Sequence, residues 1–234
     1  MKPTGRQHLI FDADDTLWEN NIYFEEAFDR FCDYLAHSEL TPPDIRKRLD
    51  EIEMENAKIH GYGARNFARN LRECYQLLAE REWEDRHLTE VAEFAHKILD
   101  SPMELIAGVA ETLPELARHH ELTLFTKGDP AEQNDKIDRS GLRAHFHHCA
   151  VVKEKNRAAY LELANVRGFD LDRTWMIGNS PKSDINPAIA AGMHAVYVPH
   201  LRTWGLEKEE ILDAGGKLIV IQCFSDLLDV FLRH

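Results

Sequence analysis

Apolar positions along the chain change period twice. Residues 8–11, HLIF, form a short continuous apolar run that reads as a buried strand. From Phe24 the spacing becomes helical: Phe24, Ala27, Phe28, Phe31 and Leu35 recur on one face. TPPD at 41–44 predicts a helix start, with Thr41 as N-cap, prolines in the first turn and Asp44 near the positive end. Ile45, Leu49 and Ile52 continue that helix until HGYG at 60–63 breaks it. Phe67, Leu71, Cys74 and Leu78 form a third stripe, and Leu88, Val91, Ala92, Ala95, Ile98 and Leu99 a fourth. The pattern therefore predicts four helices and no strand between about 19 and 99.

Past DSP at 100–102 the rhythm becomes helix–strand alternation. Helices are expected at about 108–119, 131–139, 156–166, 183–191 and 225–232, and strands at LTLFT, CAVV, TWMIGN, HAVYV and KLIVIQ. Short β-branched runs alternating with helices argue for a parallel sheet covered on both faces. The expected fold class is α/β, a Rossmann-like open parallel sheet with an all-helical insertion after the first strand. The expected core domain is 1–17 with 101–234, and the insertion is 18–100.

Composition narrows the functions. The formal charge is −13 with no Lys/Arg run, which argues against nucleic-acid binding, where affinity rests on neutralising phosphates. No stretch of 18 apolar residues exists, so no membrane span is expected. No signal peptide is read at the start, and the four cysteines lack metal or CxxC spacing. Free thiols and a cytoplasmic protein are the expectation. Oligomeric state is not legible.

In open parallel sheets, ligands bind at the carboxyl ends of the strands. The residues falling there are Asp12, Asp14 and Thr16 after the first strand, and Thr126, Lys127 and Gly128 after the second. Lys153 and Lys155 follow the third, and Gly178, Asn179 and Ser180, with Asp184, the fourth. Four segments thus bring carboxylate, hydroxyl and ammonium groups to one sheet edge. If the first segment stays extended, Asp12 and Asp14 share a side.

FDADDTLW resembles the DxDxT signature of the haloacid dehalogenase-like superfamily. LFTKG is similar to that family's second motif, Lys155 in VVKEKNRAAY to its third-motif lysine, and IGNSPKSDINPAIAAGM to its acidic fourth motif. The insertion resembles the family's first type of helical cap. The resemblance implies Mg2+ as cofactor, held by Asp12, the backbone carbonyl of Asp14, Asn179 and Asp184. It implies that Asp12 is the nucleophile, Asp14 the acid and then base, Thr126 a phosphoryl donor and Lys155 the charge-balancing cation. Aspartate two residues after the nucleophile is the family's mark of phosphate transfer. The implied function is a Mg2+-dependent phosphatase acting on a small phosphorylated metabolite through an aspartyl phosphate. A non-catalytic phosphate-binding protein and a phosphomutase are the alternatives. Asn179 departs from the Gly-Asp of many relatives, so weaker metal affinity is expected.

Other residues are weighed against plainer roles. Thr16, Lys127, Tyr62 and Arg65 are candidate substrate contacts, although the Lys127 side chain is expected to be solvated and HGYGAR also reads as a plain turn. Asp15 is expected to support the turn or face solvent. His119 and His120 are expected to close a helix and favour its negative end. HFHHC at 145–149 is read as leading into a strand with little room for an ion.

Overall fold

The computed structural model describes residues 3–212 and 214–232. The chain divides into two compact units, Met1–Glu19 with Met103–His234, and Asn20–Pro102.

The first unit is built on six parallel strands: β1 (His8–Phe11), β2 (Glu121–Lys127), β3 (His148–Val152), β4 (Thr174–Gly178), β5 (His194–Tyr197) and β6 (Leu218–Val220). Their order is β3-β2-β1-β4-β5-β6. β1 sits between β2 and β4, with His8 opposite both Glu121 and Thr174. The period-two alternation of each strand divides its side chains between two cores. Leu9, Phe11, Leu122, Leu124, Trp175, Ile177 and Val196 face one layer. Ile10, Phe125 and Met176 face the other, with Tyr160 and Leu163. Each fully buried β1 side chain contributes about 1.5–3 kcal/mol by leaving water.

Helices α5 (Val109–His119), α6 (Pro130–Arg139), α7 (Arg157–Arg167), α8 (Asn186–Ala190) and α9 (Leu227–Phe231) belong to this unit. Side-chain caps begin two of them: Asp129 accepts from the amides of Ala131 and Glu132, and Asn156 from that of Ala159. The helix expected from 183 differs. Pro181–Ile185 is one wide turn in which Ile185 N–H reaches back five residues to the Ser180 carbonyl, and α8 follows it. Pro187 has no N–H to return to the Ser183 carbonyl, and that carbonyl accepts from Tyr160 Oη at 2.9 Å.

One expectation about histidines changes. His120 is buried, and its Nδ1 accepts from Gln7 N–H, so it does not meet the helix end as a cation. The 145–149 run leads into a strand, β3, which begins at His148, and His147 Nδ1 accepts from Leu122 N–H.

The second unit contains, among the described residues, four α-helices, a short 3-10 turn at Lys97–Asp100 and no strand: α1 (Asn21–Leu35), α2 (Pro42–His60), α3 (Ala64–Leu78) and α4 (Asp85–His96). Their apolar stripes meet in one core of Phe31, Leu49, Phe67, Leu71, Tyr75 and Val91 with their neighbours. Thr41 stands at the expected N-cap of α2, where its N–H and hydroxyl both donate to Asp44 Oδ2. Gly61 and Gly63 both have positive φ, which turns the chain between α2 and α3 at Tyr62. Tyr62 is half-buried and Arg65 is exposed. Among the described residues no helix is long and apolar enough to cross a membrane.

Candidate active site

The polar residues expected at the strand ends collect around Lys155. Its ammonium lies 2.6 Å from Asp12 Oδ1 and 2.5 Å from Asp184 Oδ1, and all three residues are buried. Burial alone would lower the Lys155 pKa, but the two carboxylates outweigh it and raise it. Asp184 is raised, first by burial and then by Asp12, with Lys155 opposing. Two buried carboxylates against one ammonium leave the pocket short of positive charge. Lys153 is exposed and lies outside this cluster.

β1 delivers Asp12, whose N–H pairs with the Ile177 carbonyl at 2.9 Å and extends the ladder by one residue. The chain then bends. Leu17 N–H reaches back to the Ala13 carbonyl at 2.8 Å, and Asp15 takes a positive φ of 59°. The carboxylates of Asp12 and Asp14 engage separate partners. Asp15 is buried rather than solvated, with His200 Nδ1 at 3.9 Å.

Thr16 Oγ1 lies 3.0 Å from Asp12 Oδ2 and 3.2 Å from Asn179 Oδ1. The orientation of the Asn179 amide follows from its other end. The Thr203 hydroxyl donates to the His200 carbonyl at 3.0 Å, so its lone pair meets Asn179 Nδ2, also at 3.0 Å. The amide oxygen consequently faces the Thr16 hydroxyl, which also reaches Asp12. Asp184 is fixed by the wide turn: its Oδ2 accepts from Ser180 N–H at 3.0 Å. Gly178 is required here by space, because a Cβ on it would lie 2.5 Å from Asp184 Cγ.

Thr126 is buried near the end of β2. Lys127 is not solvated as expected. Its ammonium donates to Glu207 Oε1 at 2.6 Å and to Ser183 Oγ at 2.9 Å. Ser180 Oγ donates to Glu207 Oε2 at 2.6 Å. Burial raises the Glu207 pKa, but Lys127 and the serine hydroxyls outweigh it and hold it low.

Asp14 is surrounded by donors the sequence reading missed. Trp18 Nε1 and Lys136 Nζ reach Oδ1 at 2.8 and 2.6 Å, while Gln133 Nε2 and Lys136 Nζ reach Oδ2 at 2.9 and 2.7 Å. Burial raises the Asp14 pKa, yet Lys136, Gln133 and Trp18 prevail and lower it. One signal was available: Gln133 and Lys136 are three apart on a helix that starts right after LFTKG, so they share a face. Glu207 and Thr203 carried no such signal.

This sheet edge gathers carboxylates from just past β1 and β4 and a lysine from past β3, the strand-end arrangement of an α/β enzyme site. A model of the haloacid dehalogenase-like hydrolase family matches residues 7–192, and the chain belongs to that family. A haloacid dehalogenase-like family hydrolase from Xanthomonas campestris is 33% identical, with 91% of this chain and 88% of that one covered and a TM-score of 0.78. A 2-haloacid dehalogenase from Pseudomonas syringae shares the fold at 21% identity and a TM-score of 0.64, covering 96% and 97%. A predicted phosphoglycolate phosphatase from Haemophilus somnus does so at 16% and 0.68, covering 97% and 98%. No curated protein matches the chain.

Proposed function

We propose that the protein is a Mg2+-dependent phosphatase that hydrolyses a small phosphorylated metabolite through an aspartyl phosphate on Asp12. The observation that carries the reading is the second carboxylate, Asp14, two residues past the Asp12 of a buried Asp12–Lys155–Asp184 cluster. A halide leaves carbon as a stable anion and needs no proton. An alcohol leaving phosphorus needs one, and water attacking the acyl phosphate must lose one. Both routes need a base for the hydrolytic water, and only the second also needs an acid for the leaving group, the role proposed for Asp14.

The donors fit a hard divalent cation. Carboxylate oxygens of Asp12 and Asp184, the inward-facing oxygen of Asn179 and the Asp14 carbonyl form an all-oxygen set, and the pocket holds more negative than positive charge. When bound, Mg2+ would offset the charge of the approaching phosphate.

The residues then divide the work. An Asp12 carboxylate oxygen attacks phosphorus, the bond to the leaving oxygen breaks, and Asp14 delivers a proton to that oxygen. Asp14 then accepts a proton from the water that attacks the acyl phosphate, and Asp12 is regenerated with release of inorganic phosphate. Asp14 is held ionised by its donors, so it takes up its first proton when substrate arrives. The Lys155 ammonium pairs with Asp12 at 2.6 Å and balances the incoming charge. Thr126 is the proposed hydroxyl donor to the phosphoryl group. The helical unit, 20–102, occupies the cap's place in the chain order.

The test is a paired assay of purified protein with Mg2+, reading phosphate release from p-nitrophenyl phosphate and halide release from 2-chloropropionate. The reading predicts phosphate, no halide, and at least a 1000-fold loss in Asp12→Asn (roughly the loss on removing a nucleophile). Halide without phosphate would replace it with a dehalogenase.

A further inference from the structure

The geometry points to Lys136 and Gln133 as positioning residues for the acid–base carboxylate, fixing Asp14 to the turn that follows β2. This inference rests on the phosphatase reading above and adds to it the machinery that aims Asp14.

Three observations converge on α6. Lys136 Nζ spans both oxygens of Asp14, at 2.6 and 2.7 Å, which holds the carboxylate in one plane rather than letting it rotate. Gln133 Nε2 is shared between Asp14 Oδ2 at 2.9 Å and the Lys127 carbonyl at 3.3 Å. One amide thereby ties the carboxylate to the backbone next to Thr126. Gly128 makes room for it: a Cβ there would lie 2.8 Å from Gln133 Nε2 and 3.0 Å from its Cγ, and the residue has a φ of +146°. Trp18 Nε1 supplies the last donor, from the same turn that carries Asp14. None of these groups bonds to Asp12, whose oxygens are met by Lys155 and Thr16. The two carboxylates are thus set by independent donors, one group for attack on phosphorus and one for proton transfer.

Separate settings should separate kinetically. Proton delivery to the leaving oxygen matters little when that oxygen is p-nitrophenolate and more when it is phenolate. A displaced Asp14 costs the poorer leaving group more. The experiment compares kcat/KM for p-nitrophenyl phosphate and phenyl phosphate, two substrates of similar size, in the full-length protein. In Lys136→Met the ratio of the two is expected to rise at least about tenfold over wild type, and Lys136→Arg is expected to restore most of it. Gln133→Met is expected to shift the ratio the same way by a smaller factor, and provides the reading if Lys136→Met does not fold. A ratio that stays flat or falls while both activities drop would make these residues structural partners only and overturn the inference, with the phosphatase reading intact. A wild-type protein inactive on both substrates would remove that reading and this inference with it.

Discussion

Gly178→Ala isolates the geometry of the site in one methyl group. Gly178 ends β4 between β1 and β5, pairs with Tyr197, and its carbonyl accepts from Val198 N–H at 3.0 Å, so its backbone has little room to shift. The new Cβ would meet Asp184 Cγ at 2.5 Å and Cβ at 2.8 Å. Carbon atoms settle near 3.5–4.0 Å apart, so Asp184 must move by about 1 Å. That motion strains its bonds to Lys155 Nζ at 2.5 Å and Ser180 N–H at 3.0 Å. Overpacking a filled core costs roughly 1–3 kcal/mol, and weakening a charge-assisted bond adds roughly 1, for an expected loss of about 2–4 kcal/mol. At a urea slope near 2 kcal/mol/M the unfolding midpoint falls by about 1–2 M. Activity is expected to fall on the order of 100-fold, the scale of a 1 Å misplacement near the chemistry. In an Asp184→Gly background all three clashing atoms are gone, and Gly178→Ala should then cost under about 1 kcal/mol. A Gly178→Ala protein with the wild-type midpoint and wild-type turnover would refute the placement of Asp184.

Three further outcomes follow from other parts of the structure. Lys127→Met leaves Glu207 as a largely buried, uncompensated carboxylate and should cost roughly 3 kcal/mol in urea unfolding; a cost near zero would mean the pair is open to water. Asn179→Asp adds a charge to the proposed metal site and should tighten Mg2+ in a titration of the activated protein; unchanged or weaker binding would count against Asn179 as a ligand. His8, His120 and His194 all have pKa values lowered, in each case chiefly by burial. For a lowered folded pKa the neutral form stabilises the fold above the unfolded value near 6.5, and that stability is lost as pH falls through the folded value. The melting temperature should therefore decline below about pH 6, less steeply in His120→Gln, and an equal decline in that variant would assign the effect to other groups.

The fold was readable wherever a period was uninterrupted. HLIF and the strand–helix alternation after residue 102 gave six strands in the right order along the chain, and the four apolar stripes gave α1 to α4. Asp12, Lys155 and Asp184 were readable because motifs sit at strand ends, where parallel topology gathers them. What escaped has a physical reason in each case. The wide turn at Pro181–Ile185 depends on which carbonyl an amide reaches, and helical spacing does not distinguish four from five residues over a single turn. Gln133 and Lys136 lie about 120 positions from the Asp14 they hold, and Lys127 finds Glu207 80 positions on. Thr203 and Glu207 lie outside the regular strands and longer helices, in chain without a hydrophobic period. Buried polar networks satisfy one another by proximity alone, which leaves no periodic trace.

The central claim is that Asp12 carries the phosphoryl group. Acid-quenching the Mg2+-activated protein during turnover of p-nitrophenyl phosphate, followed by peptide mass spectrometry, tests it most directly. The account predicts one phosphoryl adduct on the peptide containing Asp12, absent from Asp12→Asn. Steady turnover by Asp12→Asn, or an adduct on a different residue, would contradict it.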